Sequence, residues 1–294
     1  MNFRSYMYVL LAAMLWGTTG TAQSFIEGAA HPLTIGALRL GIGGFTLLLV
    51  VVAAKKIVFH EVPWQAVFLS AAAMAVFQPF FFSAVQSTGV AVGTVVAIGS
   101  APVFSGMIEW IVLKHRPDRV WVFATIFAII GSILLFINGE SSTIRLSGVF
   151  LALGAGAAFA GYAMVSKSAL RKMEAVPAVA ITFSISACFL FPFLLFLDVS
   201  YMGNPVNLSV IAYLGIGATS ISYILFSTGL KKIPSSSAVT LSLAEPLTAA
   251  ILGVFIVQEV LSSTAWIGVA LLLGGILILT FGKRKAAAAI SNFS

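Results

Sequence analysis

Glu245 and Pro246 sit in the stretch LSLAEPLTAA (241–250), and Glu245 is the only charge between Ile233 and Val257. A carboxylate near the middle of an apolar helix is too deep to snorkel. It is either neutral and hydrogen-bonded or turned towards water and a bound solute. Its neighbours offer no bond-making chemistry. His31, His60 and His115 fall in or beside connections, with no second ligand at metal spacing. The chain has no Ser/His/Asp set, paired carboxylates, glycine-rich phosphate loop or HExxH motif. An enzyme, a resident metal and a cofactor are therefore not expected. The sequence does place rings and a few hydrogen-bonding groups deep in apolar segments: Trp16 beside Gly17, Gln78 and Phe82 within QPFFF, Tyr162, and Tyr223. With Glu245 they are the candidate binding residues. Such a lining suits flat, mostly apolar solutes held by stacking and a handful of polar contacts.

The elements that must position these groups follow from composition. Of 294 residues, 60% are hydrophobic and 9% charged, with a mean hydropathy of +1.08. A soluble domain carries about 25% charged residues, so this chain is an all-α integral membrane protein. Cys188, the single cysteine, excludes an intramolecular disulfide framework and reads as a small packing residue. Stretches of about 20 apolar residues span a bilayer as helices. Ten are expected, at 5–24, 33–54, 64–86, 92–113, 119–138, 147–167, 177–198, 209–230, 236–258 and 263–282. The connections are too short for a soluble domain.

The net charge of +7 follows membrane topology and no nucleic-acid face. With the N-terminus inside, the cytoplasmic side receives Arg4, Lys55, Lys56, Lys114, Arg116, Arg119, Lys167, Arg171, Lys172, Lys231, Lys232, Lys283, Arg284 and Lys285, and the other side Arg145 alone. Both termini are thus expected in the cytoplasm, with the signal-peptide-like start retained as the first span. Arg39, some six residues inside the second helix, is expected to snorkel outwards or bond helix ends; holding a substrate carboxylate is the less favoured alternative. Glu109, a turn from Lys114 and Arg116, is expected at the interface. Trp64, Trp110, Trp121 and Trp266 fall near helix ends and read as an interfacial belt.

Pro102, in AIGSAPVFSG (97–106), and Pro246 are 144 positions apart, and the same offset pairs Phe82 with Phe226, Val95 with Val239 and Gly131 with Gly275. The repeat predicts two halves, residues 1–140 and 141–294, of five helices each. Five is odd, so the second half enters the membrane inverted, which places a central cavity at the midplane. Each proline frees the carbonyl four residues earlier, Ile98 or Ser242. Pro102 and Pro246 are the candidate hinges.

The pair Trp16–Gly17, Arg39 early in the second helix, and the SAP and AEP triplets around Pro102 and Pro246 resemble the drug/metabolite transporter superfamily. Within it, the chain is similar to the ten-helix EamA-type exporters over essentially its whole length. EPLTAAILGVFIVQEVLSSTAWIGVALLLGGILIL carries the most specific likeness, with Glu259 in the family's usual acidic place. His115 departs from it, standing at the repeat position of Glu259. The sequence looks closest to bacterial aromatic amino-acid exporters. The resemblance implies a secondary transporter in the bacterial inner membrane, exporting small organic metabolites, aromatic and other neutral amino acids foremost, by alternating access. Its partners would be a small-molecule substrate and membrane lipid, with a monomer as the working form and no nucleic acid bound. The rival within the class exports cationic aromatic drugs with Glu245 as counter-ion. A passive channel is the rival outside it, disfavoured by the lack of a filter motif.

Overall fold

Without water in the bilayer core, a spanning chain satisfies its backbone within helices. The computed structural model of the protein describes residues 3–28, 30–56, 59–88, 90–136, 145–258 and 261–291, and among these every regular element is helical. Glu259 and the 140/141 boundary lie outside the described residues. The helices are α1 (Phe3–Gln23), α2 (Pro32–Ala53), α3 (Trp64–Thr88), α4 (Val90–Leu113), α5 (Arg119–Phe136), α6 (Leu146–Ala169), α7 (Ala175–Leu194), α8 (Pro205–Gly215), α9 (Ser222–Leu230), α10 (Ser235–Leu241), α11 (Ala244–Leu252) and α12 (Ser263–Ser291). A π-helical segment, Ile216–Ile221, joins α8 to α9, and another, Gly253–Val257, ends α11. Counted as continuous rods, α8–α9 and α10–α11 are single spans. Eight stretches are long and apolar enough to cross a membrane, and Arg119–Leu135 is a shorter apolar helix. With the 21-residue α1, they make ten, each close to its expected place. Leu49, Phe196, Phe255 and other large apolar side chains are exposed on the outside, as lipid contact demands.

The packing of the spans has a regular order. α1 lies against α9 and α11, and α6 against α3 and α4; α2 pairs with α7, and α5 with α12. Numbering the spans one to ten, each contact maps onto another, or onto itself, when five is added or subtracted. The α5–α12 contact shows it at atomic detail. A Cβ on Gly131 would lie 2.5 Å from Leu272 N and 2.7 Å from Gly268 O, and one on Gly275 2.7 Å from Ala124 O and 2.9 Å from Ala128 N. Ala124 and Gly268, Ala128 and Leu272, and Gly131 and Gly275 are all related by the 144-residue offset. Close backbone approach at small residues is what packs helices in a solvent as apolar as their own side chains.

Polar contacts join the helix ends at both faces of the bundle. At the face holding the start of α1, Glu109 Oε2 accepts from Ser236 N at 3.3 Å, and Lys167 donates to the carbonyl of Ile233. Glu109 is buried at this face, because the first turn of α10 closes over it. At the opposite face, Asn207 accepts from Glu27 N and donates to Glu27 O, both at 2.8 Å, while Asn204 Nδ2 reaches Glu27 Oε2 at 2.8 Å. Nearby, Asp198 accepts from both N and Oγ of Ser200. These bonds hold its carboxyl below the usual carboxylate range.

Two expectations are corrected, and the two candidate hinges differ in their backbone. Trp121 is buried, its ring filling the space above Gly106, while Trp64, Trp110 and Trp266 are exposed at helix ends. Cys188 is exposed beside a groove between α2 and α7 and does not pack in the core. α4 runs unbroken through Pro102, whereas the span of Pro246 is interrupted at Ser242–Leu243.

The α5–α12 seam gives a direct test. Gly131→Ala and Gly275→Ala should each cost about 1–3 kcal/mol through overpacking, read as a lower thermal unfolding midpoint in detergent. Gly274→Ala, with nothing within 4 Å of the new Cβ, should leave that midpoint unchanged or slightly raised.

Candidate functional site

The break before Pro246 has a local cause. Proline supplies no N–H for the Ser242 carbonyl, and this oxygen instead accepts from Glu245 N at 2.9 Å, a tighter three-residue turn. Leu243 N likewise bonds Thr240 O at 3.1 Å. The rod restarts as α11 with Glu245 in its first turn. Gly17 allows α1 to lie directly on this point, since a Cβ there would be 2.6 Å from Glu245 O. Trp16 and Glu245 are thereby brought to one level of the bundle.

Trp16 is fixed from the other side by α9. Its Nε1 donates to Ser222 Oγ at 2.8 Å, and Ser222 Oγ in turn donates to Ala218 O at 2.6 Å. The π-helical segment sets this register. A π turn leaves carbonyls without their ordinary helical donors; Thr219 Oγ1 takes Leu214 O at 2.8 Å, and Ser220 Oγ takes Gly215 O at 3.1 Å and Gly43 O of α2 at 2.8 Å. The extra residue rotates Ser222 and Tyr223 towards α1.

Several of the candidate rings pack on one another. Trp16 meets Tyr223 at 4.7 Å between centroids and Phe226 at 5.3 Å. Tyr162 meets Tyr223 at 5.8 Å, edge to face. Phe183 lies 4.4 Å from Tyr223 and 6.0 Å from Tyr162. Tyr162 and Tyr223 are almost wholly buried, and the stacking faces of this group are occupied by one another. Half-buried Phe77, Phe81 and Phe159 extend the series; of these, sequence reasoning noted Phe81 within QPFFF and passed over Phe77 and Phe159. Phe159 lies 6.0 Å from Trp16 and 5.9 Å from Phe77, which stacks on Phe81 at 5.5 Å. Helical spacing was the available signal: Phe77 and Phe81 share one face of α3, and Phe159 stands one turn before Tyr162.

Gln78 and Phe82 form the far end. Both face α2 at Gly36, where a Cβ would lie 2.8 Å from Gln78 Oε1 and from Phe82 Cε2. Phe82 touches Phe81 edge-on at 5.4 Å. Gln78 is fully buried, yet neither its Oε1 nor its Nε2 has a partner. Met74, one turn away on α3, receives the Tyr223 hydroxyl at 3.9 Å. Arg39 is half-buried, and its Nε is buried without a partner. No three metal-ligating side chains come together among the described residues. A second groove, lined by Thr18, Tyr213, Leu252 and their neighbours, opens between α1, α8 and the end of α11, away from the aromatic series. Thr18 and Tyr213 share a 2.6 Å hydrogen bond there.

The chain matches the EamA-like transporter family twice, over residues 3–137 and 146–281. It is 47% identical to the uncharacterized transporter YwfM of Bacillus subtilis, with 95% of this chain and 94% of that one covered. It is 23% identical to the uncharacterized inner membrane transporter YicL of Salmonella typhimurium, over 97% and 98%. A solved crystal structure shares the fold at a TM-score of 0.82 and 21% identity, covering 96% of this chain and 98% of the other. With its apolar helices and this double match, the protein belongs to the EamA-like transporter family and is a multi-pass membrane transporter.

Proposed function

We propose that the protein is a secondary transporter that exports small organic metabolites, aromatic and other neutral amino acids foremost, by alternating access. The observation that carries the substrate class is the aromatic series from Phe82 to Tyr162, ending beside Gln78, whose buried amide has every hydrogen-bonding atom free. Rings supply stacking surface of low specificity. An unfilled buried amide gives a polar solute group something to bond.

Alternating access draws support from three features. The family match falls twice on one chain; the helix contacts interchange under the 144-residue offset; and each face is joined by its own polar contacts. Two inverted five-helix halves, 1–140 and 141–294, account for all three, and rocking of one half against the other would open the faces in turn. The distribution of Lys and Arg puts both termini in the cytoplasm, and the bacterial inner membrane is the location in keeping with the name that the Salmonella relative carries. The cationic-drug reading, with Glu245 as counter-ion, is the rival that a transport assay separates.

Counterflow of labelled phenylalanine, tryptophan, leucine and threonine into proteoliposomes tests the substrate class. Saturable exchange favouring the aromatic substrates is expected, and exchange of cationic dyes in place of amino acids would refute it. Trp16→Phe keeps most of the ring and removes the bond to Ser222, so it should weaken transport by about 0.5–1.5 kcal/mol. Tyr223→Ala, which opens the centre of the series, should do more. For the hinges, Pro246→Ala restores the donor to Ser242 and should slow turnover with binding retained. Pro102→Ala, in a helix already continuous, should have the smaller effect; equal effects would mean that the break at Ser242–Leu243 has no part in the motion.

A further inference from the structure

The two segments that match the family, 3–137 and 146–281, meet differently at the two faces of the bundle. At the face holding the start of α1, polar bonds cross from one segment to the other. Ser166 Oγ of α6 donates to Ser70 Oγ of α3 at 3.3 Å, and Thr125 of α5 shares a hydroxyl bond with Thr240 of α10 at 3.0 Å. Glu109 of α4 accepts from Ser236 N at 3.3 Å. All of these groups are buried, and all lie within two turns of the ends of their helices. Apolar contacts such as Val9 on Gly229 occur here too, so the polar bonds interrupt an otherwise apolar seam.

Towards the opposite face the seam is apolar. Ile26, Ile35 and Leu38 of the first segment pack with Ile211, Leu214 and Ala218 of the second. Polar contacts between the segments return at the rim, where Glu27 meets Asn204 and Asn207, and at the surface, where Thr18 meets Tyr213.

These closures differ in what opening them costs. A hydroxyl pair that parts into water exchanges one hydrogen bond for others, and the net change is small. An apolar seam that parts exposes its surface to water, at a cost that grows with area. The face holding the start of α1 is therefore the easier one to open.

We propose that the empty protein opens to the cytoplasm along the hydroxyl-bearing seam, while the apolar seam keeps the other side shut until substrate is bound. The entry route is lined by Ser70, Glu109, Ser166 and Thr240, whose polar groups take up water and the polar ends of an entering metabolite. The inference rests on the transporter reading above and on the cytoplasmic placement of the α1 start. It adds a direction: loading from the cytoplasm, as export requires.

Sided thiol labelling tests this. Cys188→Ser gives a background without thiols, in which Ser70→Cys, Ser166→Cys, Ile35→Cys and Leu214→Cys are placed singly. Proteoliposomes of known orientation receive a charged, membrane-impermeant maleimide from one side, without substrate. Ser70→Cys and Ser166→Cys should react from the cytoplasmic side, and Ile35→Cys and Leu214→Cys from neither. Retained phenylalanine counterflow identifies variants that are folded, and if one of the serine variants fails it, the other reads the same seam. Thr125→Val combined with Thr240→Val replaces the hydroxyl pair by an apolar contact of the same shape. In that background cytoplasmic labelling of Ser166→Cys should slow by roughly 2- to 10-fold. Inert serine variants, labelling of Ile35→Cys or Leu214→Cys from the outer side, or an unchanged rate in the double valine variant would each overturn the inference, and intact counterflow would leave the transporter reading standing. Labelling from both sides at once, with phenylalanine leaking without exchange, would mean a continuous pore and overturn both.

Discussion

The bilayer offers the backbone no hydrogen bonds, and every other feature of this protein is arranged around that constraint. Departures from the α-helix occur where a side chain or a tighter turn takes up the freed carbonyls. At Ile216–Ile221, hydroxyls of Thr219, Ser220 and Ser222 do so. At Ser242–Leu243, the N–H of Glu245 does. Both departures lie against α1, and together they set Trp16, Tyr223 and Glu245 at one level. The irregular backbone is thus found where the side chains meet that we assign to the substrate.

Small residues make the second layer of the design. Gly17 brings α1 onto Glu245, Gly36 makes room for Gln78, and Gly131 and Gly275 seat α5 and α12 on each other. In lipid, apolar side chains gain little by leaving their surroundings, so close backbone contact and buried hydrogen bonds hold the bundle. The seams at Gly17 and at Gly131 and Gly275 run between the two halves, and are therefore surfaces along which one half would move on the other. The polar contacts at the two faces, Glu109 with Ser236 and Glu27 with Asn207, are the parts a rocking motion would have to break and remake.

Much of this was legible in the sequence, for identifiable reasons. Span positions follow from hydropathy because lipid enforces length and composition together. Trp16, Tyr162 and Tyr223 stood out because aromatic groups with polar tips are conspicuous in apolar helices, and they do converge. The π-helical turn before Ser222 was not legible, since an extra residue in a turn leaves no trace in an apolar pattern. It decides which face Tyr223 presents. The two prolines looked alike in sequence, yet only the span of Pro246 is interrupted, for reasons of tertiary surroundings that periodicity does not record. Depth alone left the role of Arg39 open, since helix position does not record that its Nε is buried without a partner. That the turn of α4 carrying Glu109 is covered by α10 was likewise invisible in the sequence.

The central claim is that the site opens to one face at a time. Paired cysteines at Glu109 and Ser236, or at Glu27 and Asn207, introduced with Cys188 replaced by serine, allow each face to be closed by a short thiol cross-linker. Counterflow of labelled phenylalanine in proteoliposomes should stop when either pair is cross-linked and return on reduction. Flux that persists with one face locked shut would contradict alternating access.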